Sequence, residues 1–374
     1  MNGLRIAGAP DFQLFLIWGA VVAVYFIFQE DFVNTSAFFY VDLLAFLLVF
    51  STAYRCFRFL FEKSSITITP FFSSSWVFLL GGVVFLYTCY NVYLIVLEEG
   101  VQTAMQFRQS TSGEESRSVG VAFSFPILMA GYYLSVKASA MYLKVLFFIL
   151  SFLVAVVSTS KLFVLIWFFY IVMLRENRIS YARLIALSII FLIFFALSHV
   201  VLGKYSSDPG QGLTLALFNT LKVYALSGVG ALQLIYEAGS SLDENSMYIG
   251  LRLFFPEMIE YPRSQILPWV KVGVWNTNVY TAIGYWYSAM GSLYPYVVGP
   301  VLGVWYAVFV NSSRFAKRYL TFYSHFLMFC LFFSVFGDLY LVALPMHINF
   351  LIVSIIVGGV RECDEKVHLD SSGL

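Results

Sequence analysis

The chain has 374 residues, of which 60% are hydrophobic and 11% charged, and its mean hydropathy is +0.82. A soluble domain of this composition would precipitate, so the sequence predicts a polytopic membrane protein with a single integral membrane domain over residues 1–374. The formal net charge of +1 gives no indication of a nucleic-acid partner, so the placement of the basic residues is more informative than their number.

Two apolar segments open the chain, at residues 12–28 and 38–54. Each is long enough to cross a bilayer as a helix, which takes roughly 17 to 25 residues. No small-residue cleavage site follows the first segment, so we expect an uncleaved span and not a signal peptide. The loop after the second segment, and with it the N-terminus, is placed in the cytoplasm by Arg55, Arg58 and Lys63.

The next two spans keep this orientation, with residues 76–97 leading outward and residues 119–136 returning. The segment between them, residues 98–118, is polar and contains Glu98, Glu99, Glu114 and Glu115. Lys137 and Lys144 follow the fourth span, as expected of a cytoplasmic turn.

Residues 142–174 form an apolar stretch of about 33 residues, which is too long for one span. The sequence VVSTSK interrupts it, and its hydroxyl groups can satisfy the backbone of a turn. We therefore predict two short spans with Lys161 close to the outer surface. The cytoplasm is marked again by Arg175, Arg178 and Arg183.

A seventh span at residues 184–202 leads into the longest section without a clear span, residues 203–292, where we predict a large external loop. Within this loop, residues 213–238 are moderately apolar but contain Asn219, Lys222, Gln233 and Glu237. We expect a helix lying in the membrane interface. One further span here would reverse the sides of everything that follows, but the later basic residues favour the interfacial helix.

Three more spans are predicted at residues 293–310, 320–336 and 339–360, with a turn at Gly337 and Asp338. Basic residues follow the eighth and tenth spans and place the C-terminus in the cytoplasm: Arg314, Lys317, Arg318, Arg361 and Lys366. The fold class expected is an all-α polytopic membrane protein with about ten transmembrane helices and one large late external loop.

The glycines form no nucleotide-binding pattern. A Walker loop and a GxSxG elbow are both absent from the sequence, which disfavours a nucleotide-driven transporter or a membrane hydrolase of familiar type. Gly299 and Gly303 instead form a GxxxG pattern in the eighth span, which favours close helix packing over a dimer interface.

A set of basic residues is predicted on the external side: Lys161, Lys204, Arg252, Arg263 and Lys271. Guanidinium groups bind phosphate in bidentate fashion and lysines act as point charges, so the set suits a phosphate or pyrophosphate group. Alternatively, these side chains extend to lipid headgroups.

Two acids, Glu257 and Glu260, lie between the two arginines of that set. A carboxylate near the outer surface can take a proton from a hydroxyl nucleophile, although these two could simply pair with the arginines. His199 is a further candidate base near the outer end of its span, although a lone histidine inside a helix is more often a packing residue than a base. The histidines and cysteines show no metal-ligand spacing, so we expect no metal and no cofactor.

The sequence of residues 274–291, VWNTNVYTAIGYWYSAMG, resembles a block of the O-antigen polymerase (Wzy) family. The matching residues are Thr277, Asn278, Val279, Tyr280, Thr281, Tyr287 and Gly291. Ala289 and Met290 replace the family's usual acidic and aromatic residues, which argues against a catalytic carboxylate at that position. The turn before Lys161 is also similar to the family, where arginine is common.

This resemblance implies a GT-C-like, metal-independent glycosyltransferase of the bacterial inner membrane with its active site on the periplasmic face. It would transfer a growing glycan from undecaprenyl pyrophosphate to an incoming lipid-linked repeat unit. The external cations would hold the diphosphate, Glu257, Glu260 or His199 would act as base, and Asn278, Tyr280 and Tyr287 would bind sugar or shape the pocket. A Wzz-type chain-length regulator and a flippase would be partners.

Two other functions stay open. A related O-antigen ligase would use the same donor but deliver the glycan to the lipid A core. A transporter of polysaccharide or lipid-linked oligosaccharide would need polar residues at several span midpoints, whereas most spans here are uninterrupted Phe, Leu, Val and Ile.

Overall fold

The computed structural model is mostly helical. It describes residues 9–62, 73–98, 100, 101, 106, 120–138, 140–158, 161–175, 213–238, 248–259, 269–311, 313 and 315–360. The predicted seventh span at residues 184–202 lies outside this part of the chain.

The described helices follow the predicted apolar segments closely. In chain order they are α1 (Pro10–Ile27), α2 (Ala37–Phe61), α3 (Ser74–Glu98), α4 (Val121–Lys137), α5 (Met141–Val157), α6 (Lys161–Arg175), α7 (Leu213–Ala238), α8 (Ala282–Met290), α9 (Tyr294–Phe309), α10 (Thr321–Phe333) and α11 (Leu344–Gly358). A short antiparallel hairpin, β1 (Val270–Val272) and β2 (Trp275–Thr277), precedes α8.

Four helical segments among the described residues are long and apolar enough to cross a membrane: Pro10–Ile27, Ala37–Phe61, Ser74–Glu98 and Ala282–Phe309. Shorter apolar helices include α4, α5 and α11. The fold is thus that of a helical membrane protein. The 26-residue helix α7 is not among the four, in keeping with its polar side chains.

The last two predicted spans were longer than the helices that the structure shows. The ninth span was expected to reach residue 336 and the tenth to begin at 339, but α10 ends at Phe333 and α11 begins at Leu344. Residues 334–343 form the connection, in which Asp338 accepts the backbone N–H groups of Tyr340 and Leu341. In contrast, the division of residues 142–174 is confirmed, since α5 ends at Val157 and α6 begins at Lys161.

The chain divides into two compact units. The first contains Met1–Arg58, Glu176–Ala307 and Cys330–Leu344, and the second contains Phe59–Arg175, Val308–Phe329 and Pro345–Leu374.

In the first unit, α9 packs against α2 through small residues. A Cβ at Gly303 would lie 2.7 Å from the backbone oxygen of Phe50, and one at Gly299 would lie 3.2 Å from a methyl carbon of Val49. The GxxxG pattern therefore serves close packing inside the chain, as predicted. In the same stretch of α2, Arg55 and Ser51 both donate to the buried carboxylate of Asp11 in α1.

In the second unit, α3, α4 and α5 meet around one aromatic ring. A Cβ at Gly81 or at Gly131 would lie 2.5 Å or less from the ring of Phe147, so both helices approach α5 closely. Nearby, Thr88 donates to Ser124 at 2.8 Å, which satisfies two buried hydroxyls between α3 and α4.

The second unit also holds α11 against the residues before and within α10. The Ser354 hydroxyl donates to the Tyr319 oxygen and accepts the Tyr323 N–H. The Tyr323 hydroxyl shares a 2.8 Å hydrogen bond with His347 Nδ1. His347 is therefore a hydrogen-bonded packing residue of this unit.

Candidate functional site

The segment that resembles the polymerase block begins on the hairpin of the first unit. Val272 pairs with Trp275 across a tight turn, and Gly273 has φ +65, a conformation that L side chains rarely adopt. A Cβ at Gly273 would lie 2.4 Å from the backbone oxygen of Asp31, so only glycine allows the turn to approach the connection between α1 and α2.

An ion pair fixes this approach. Lys222 of α7 donates to Asp31 Oδ2 at 2.7 Å, and its ammonium lies 5.3 to 6.0 Å from the ring centroids of Phe28, Phe218 and Trp275. The Lys222 side chain is 9% exposed, whereas that of Asp31 is 39% exposed. A cation held among aromatic faces and one carboxylate is stabilised despite its burial. Lys222 thus joins α7, the first connection and the hairpin.

The threonines of the block hold the chain between the hairpin and α8. Thr277 shares a 2.8 Å hydrogen bond with Ser227 of α7 and accepts the backbone N–H of Val279. Thr281 caps α8 by accepting the backbone N–H of Gly284 at 3.2 Å. Residues 277–281 are therefore held against α7 at one end, and at the other end they lead into the first turn of α8.

The last matching aromatic, Tyr287, belongs to a polar and aromatic group from three helices. Its ring stacks on that of Tyr236 with centroids 3.7 Å apart, and the Tyr236 hydroxyl donates to Asp42 Oδ2 of α2 at 3.0 Å. One turn earlier on α7, Gln233 accepts the Ser36 N–H and donates to Glu237 at 2.9 Å. We call Asp42, Tyr236 and Tyr287 the tyrosine–aspartate group.

A second acid of the first unit is buried near α8. Asp338 Oδ1 accepts two backbone N–H groups, while Asp338 Oδ2 and the indole Nε1 of Trp286 are buried without a partner of ordinary geometry within the described residues. Burial raises the pKa of Asp338 to about 6, against the lowering effect of the backbone N–H groups and the Trp286 indole.

The structure places six of the site residues predicted from sequence in the first unit. Arg252 lies on a short 3-10 segment, Ile249–Leu253, and donates to the Ile259 oxygen at 2.9 Å, which stabilises its own loop. Glu257 is exposed in that loop, and Lys271 is exposed on β1. Asn278 is half-buried, and Tyr287 stacks on Tyr236 as described. Tyr280 is 1% exposed, and burial raises its pKa to about 12.

Other predicted site residues are described less fully or not at all. Lys161 is the first residue of α6, in the second unit. His199, Lys204, Glu260 and Arg263 lie outside the described residues, so the cationic set and the choice of base stay predictions. Within the part of the chain described, no group of three or more His, Cys, Asp or Glu residues could hold a metal ion.

Sequence reasoning missed Asp42 and Tyr236. The sequence does indicate Asp42, because it is the single acidic residue of the 25-residue apolar helix α2. Tyr236 gave no such signal, because its role depends on contacts with residues 194 positions earlier and 51 positions later.

Comparison with known proteins gives one informative relative. The chain is 31% identical over 353 residues to a protein of Shigella dysenteriae named "O-antigen polymerase", and the match covers 91% of this chain and 88% of the relative. No family model and no solved structure matches the chain.

Proposed function

Because the chain belongs to the O-antigen polymerase family, we propose that it joins undecaprenyl-pyrophosphate-linked repeat units into O-antigen or a related surface polysaccharide. The observation that carries this proposal is the relationship to the Shigella protein, which extends over nearly the whole chain. The apolar helices supply the membrane setting that a lipid-linked substrate requires.

The reaction is proposed to take place on the periplasmic face of the inner membrane. The first connection, α7 and the hairpin contact one another through Asp31, Lys222 and Trp275, which supports placing all three on one side. The basic residues of the chain concentrate in the loops opposite to that side.

The transfer needs a nucleophile, a base and stabilisation of the leaving diphosphate. A sugar hydroxyl of one repeat unit attacks the anomeric carbon of the other, and the diphosphate departs with its electron pair. The basic set proposed to bind this developing charge without a metal is Arg252, Arg263, Lys161, Lys204 and Lys271. Glu257, Glu260 and His199 are the candidate bases named by the sequence.

The sugars are proposed to bind beside the block at residues 277–291. Asn278 and Tyr287 are half-buried and can contact hydroxyls, whereas Tyr280 is buried and shapes the wall. A Wzz-type regulator and a flippase are the proposed partners, because chain length must be set and the substrate delivered to the outer leaflet.

Arg252→Ala and Arg263→Ala test the diphosphate role. Each variant should reduce long-chain glycan by at least about 10-fold and leave single repeat units on the core, because a charge-assisted phosphate contact is removed. The measurement is the lipopolysaccharide ladder on a gel, with Lys317→Ala, an exposed lysine on the predicted cytoplasmic side, as control.

Deletion of the gene should leave a single repeat unit on the core. Loss of every repeat unit would indicate a ligase instead. Normal ladders in both arginine variants, at normal protein levels, would remove the arginines from the site.

A further inference from the structure

Asp42 lies inside an apolar helix of membrane-spanning length. Helix α2 begins at Ala37 and has no other acidic residue. An acidic side chain within a span costs about 2 to 3 kcal/mol or more and is usually kept for a function. At about 1.5 Å per residue, Asp42 lies only about 8 Å from the start of the helix. The carboxylate is thus near the end of α2 that adjoins the first connection.

The tyrosine–aspartate group connects this carboxylate to the polymerase block. The Tyr236 hydroxyl donates to Oδ2, and the Tyr236 ring lies nearly parallel to that of Tyr287, at 15°. Phe39 contacts Tyr236 with the ring planes at 87°, and Tyr294 contacts Tyr287 at 79°. Each ring of the pair therefore contacts the other and one further aromatic ring.

The group is open enough to receive a ligand. Asp42, Tyr236 and Tyr287 are all half-buried and so partly accessible, and Glu237 beside them is exposed. Among the described residues, nothing donates a hydrogen bond to Asp42 Oδ1. The tyrosine–aspartate group thus combines an aromatic surface with a carboxylate oxygen that is free to accept.

These are the groups that recognise a sugar. The C–H face of a pyranose packs on an aromatic ring, and its hydroxyls donate to carboxylates. The position near the end of a span suits a sugar that is attached to a lipid and therefore stays close to the membrane surface.

We propose that Asp42 accepts the proton of the attacking sugar hydroxyl, and that the Tyr236–Tyr287 pair supports the acceptor sugar ring. This role rests on the proposed function. The hydroxyl oxygen forms the new bond to the donor's anomeric carbon, and the bond from that carbon to the diphosphate oxygen breaks. The electron pair leaves with the diphosphate, and the proton passes to Asp42 Oδ1.

The test uses the full-length protein in lipid nanodiscs with undecaprenyl-pyrophosphate-linked repeat units extracted from a strain lacking the gene. Asp42→Asn keeps an oxygen for the Tyr236 hydroxyl but cannot take a proton. Its kcat should fall by about 100-fold or more, with the KM for the repeat unit within about threefold, because general base catalysis contributes roughly 100- to 10,000-fold. Glu30→Gln, an exposed acid of the first connection, is the matched control and should keep wild-type kcat.

Tyr236→Phe separates catalysis from packing. It keeps the ring stack and removes the hydrogen bond to Asp42, so its kcat should stay within about tenfold of wild type. A loss as large as that of Asp42→Asn would overturn the catalytic role, because both variants would then report only the hydrogen bond.

Three further outcomes are decisive. If Asp42→Asn does not fold, Asp42→Glu and Asp42→Gln are compared, and equal rates in this size-matched pair would exclude a role for the carboxylate. If the wild type makes no polymer from these units, the proposed function fails and this role with it. If the wild type polymerises them and Asp42→Asn does so equally fast, the role of Asp42 alone is wrong.

Discussion

The side-chain oxygens of the first unit show how single residues depend on contacts that the sequence does not display. The resemblance located residues 277–281, but two of the matching side chains, Thr277 and Thr281, hold the backbone by hydrogen bonds. From the sequence, Asp338 was predicted only as part of a turn. Its burial beside Trp286 could not be predicted, because it depends on residues far away in sequence. A motif therefore locates a segment more readily than it assigns the roles of its members.

Asp338 should make stability depend on pH. Burial raises its pKa from 3.8 to about 6, so the folded state holds the proton more tightly than the unfolded state. The stability from this group is fully present below pH 3.8 and is lost as pH rises through about 6. At roughly 1.4 kcal/mol per pH unit, the folded state at pH 7.5 bears a cost on the order of 2 to 3 kcal/mol.

Asp338→Asn should remove this cost, because the amide keeps an oxygen for the N–H groups of Tyr340 and Leu341. The variant should unfold at a higher temperature than wild type at pH 7.5 and at a similar temperature near pH 4. Thermal unfolding in detergent across this pH range measures the difference. Glu30→Gln is the control and should unfold at the wild-type temperature at each pH. A constant difference at all pH values would contradict the assignment.

At the scale of elements, the hairpin has its position because three segments meet at Lys222. An isolated hairpin of two three-residue strands is at best marginally stable in water, so β1 and β2 depend on α7 and the first connection. Helix α7 was predicted with the bounds that the structure shows, because its apolar pattern is local. The hairpin was not predicted, since its strands are too short to show an alternating pattern.

The Lys222–Asp31 pair should therefore stabilise the first unit. Lys222→Met leaves Asp31 without its cation and should lower the free energy of unfolding by about 1 to 3 kcal/mol, less than for a fully buried pair because Asp31 is 39% exposed. The double variant Lys222→Met, Asp31→Asn should lose less than the sum of the single losses. Thermal unfolding of all four proteins in detergent gives the coupling energy, and strictly additive effects would exclude a direct pair.

At the scale of the whole molecule, hydropathy predicted the helical membrane fold and most helix positions. This succeeded because each span must satisfy its own backbone hydrogen bonds in lipid, so the signal is local to the segment. The site was less predictable, because residues 42, 236 and 287 come together only through tertiary contacts. Which side is periplasmic rests on the placement of the basic residues and therefore stays a prediction.

This topology depends on whether the two ends of α7 lie on the same side of the membrane. At about 1.5 Å per residue, its 26 residues measure about 39 Å, so length alone would allow it to cross the bilayer. However, Lys222 and Gln233 both contact the connection between α1 and α2, at Asp31 and Ser36. Both contacts reach the same short connection, which favours a helix that runs along the membrane surface, so we expect both ends of α7 on the periplasmic side.

Single cysteines at Thr214 and Glu237, two exposed positions near the ends of α7, test this expectation in a chain whose four native cysteines are replaced. A membrane-impermeant maleimide added to intact spheroplasts should label both positions, as well as a cysteine at Glu30. A cysteine at Lys317 should react only after the membrane is permeabilised. Labelling of one end of α7 without the other would show that it spans the membrane, and the sides assigned to α8 through α11 would then be reversed.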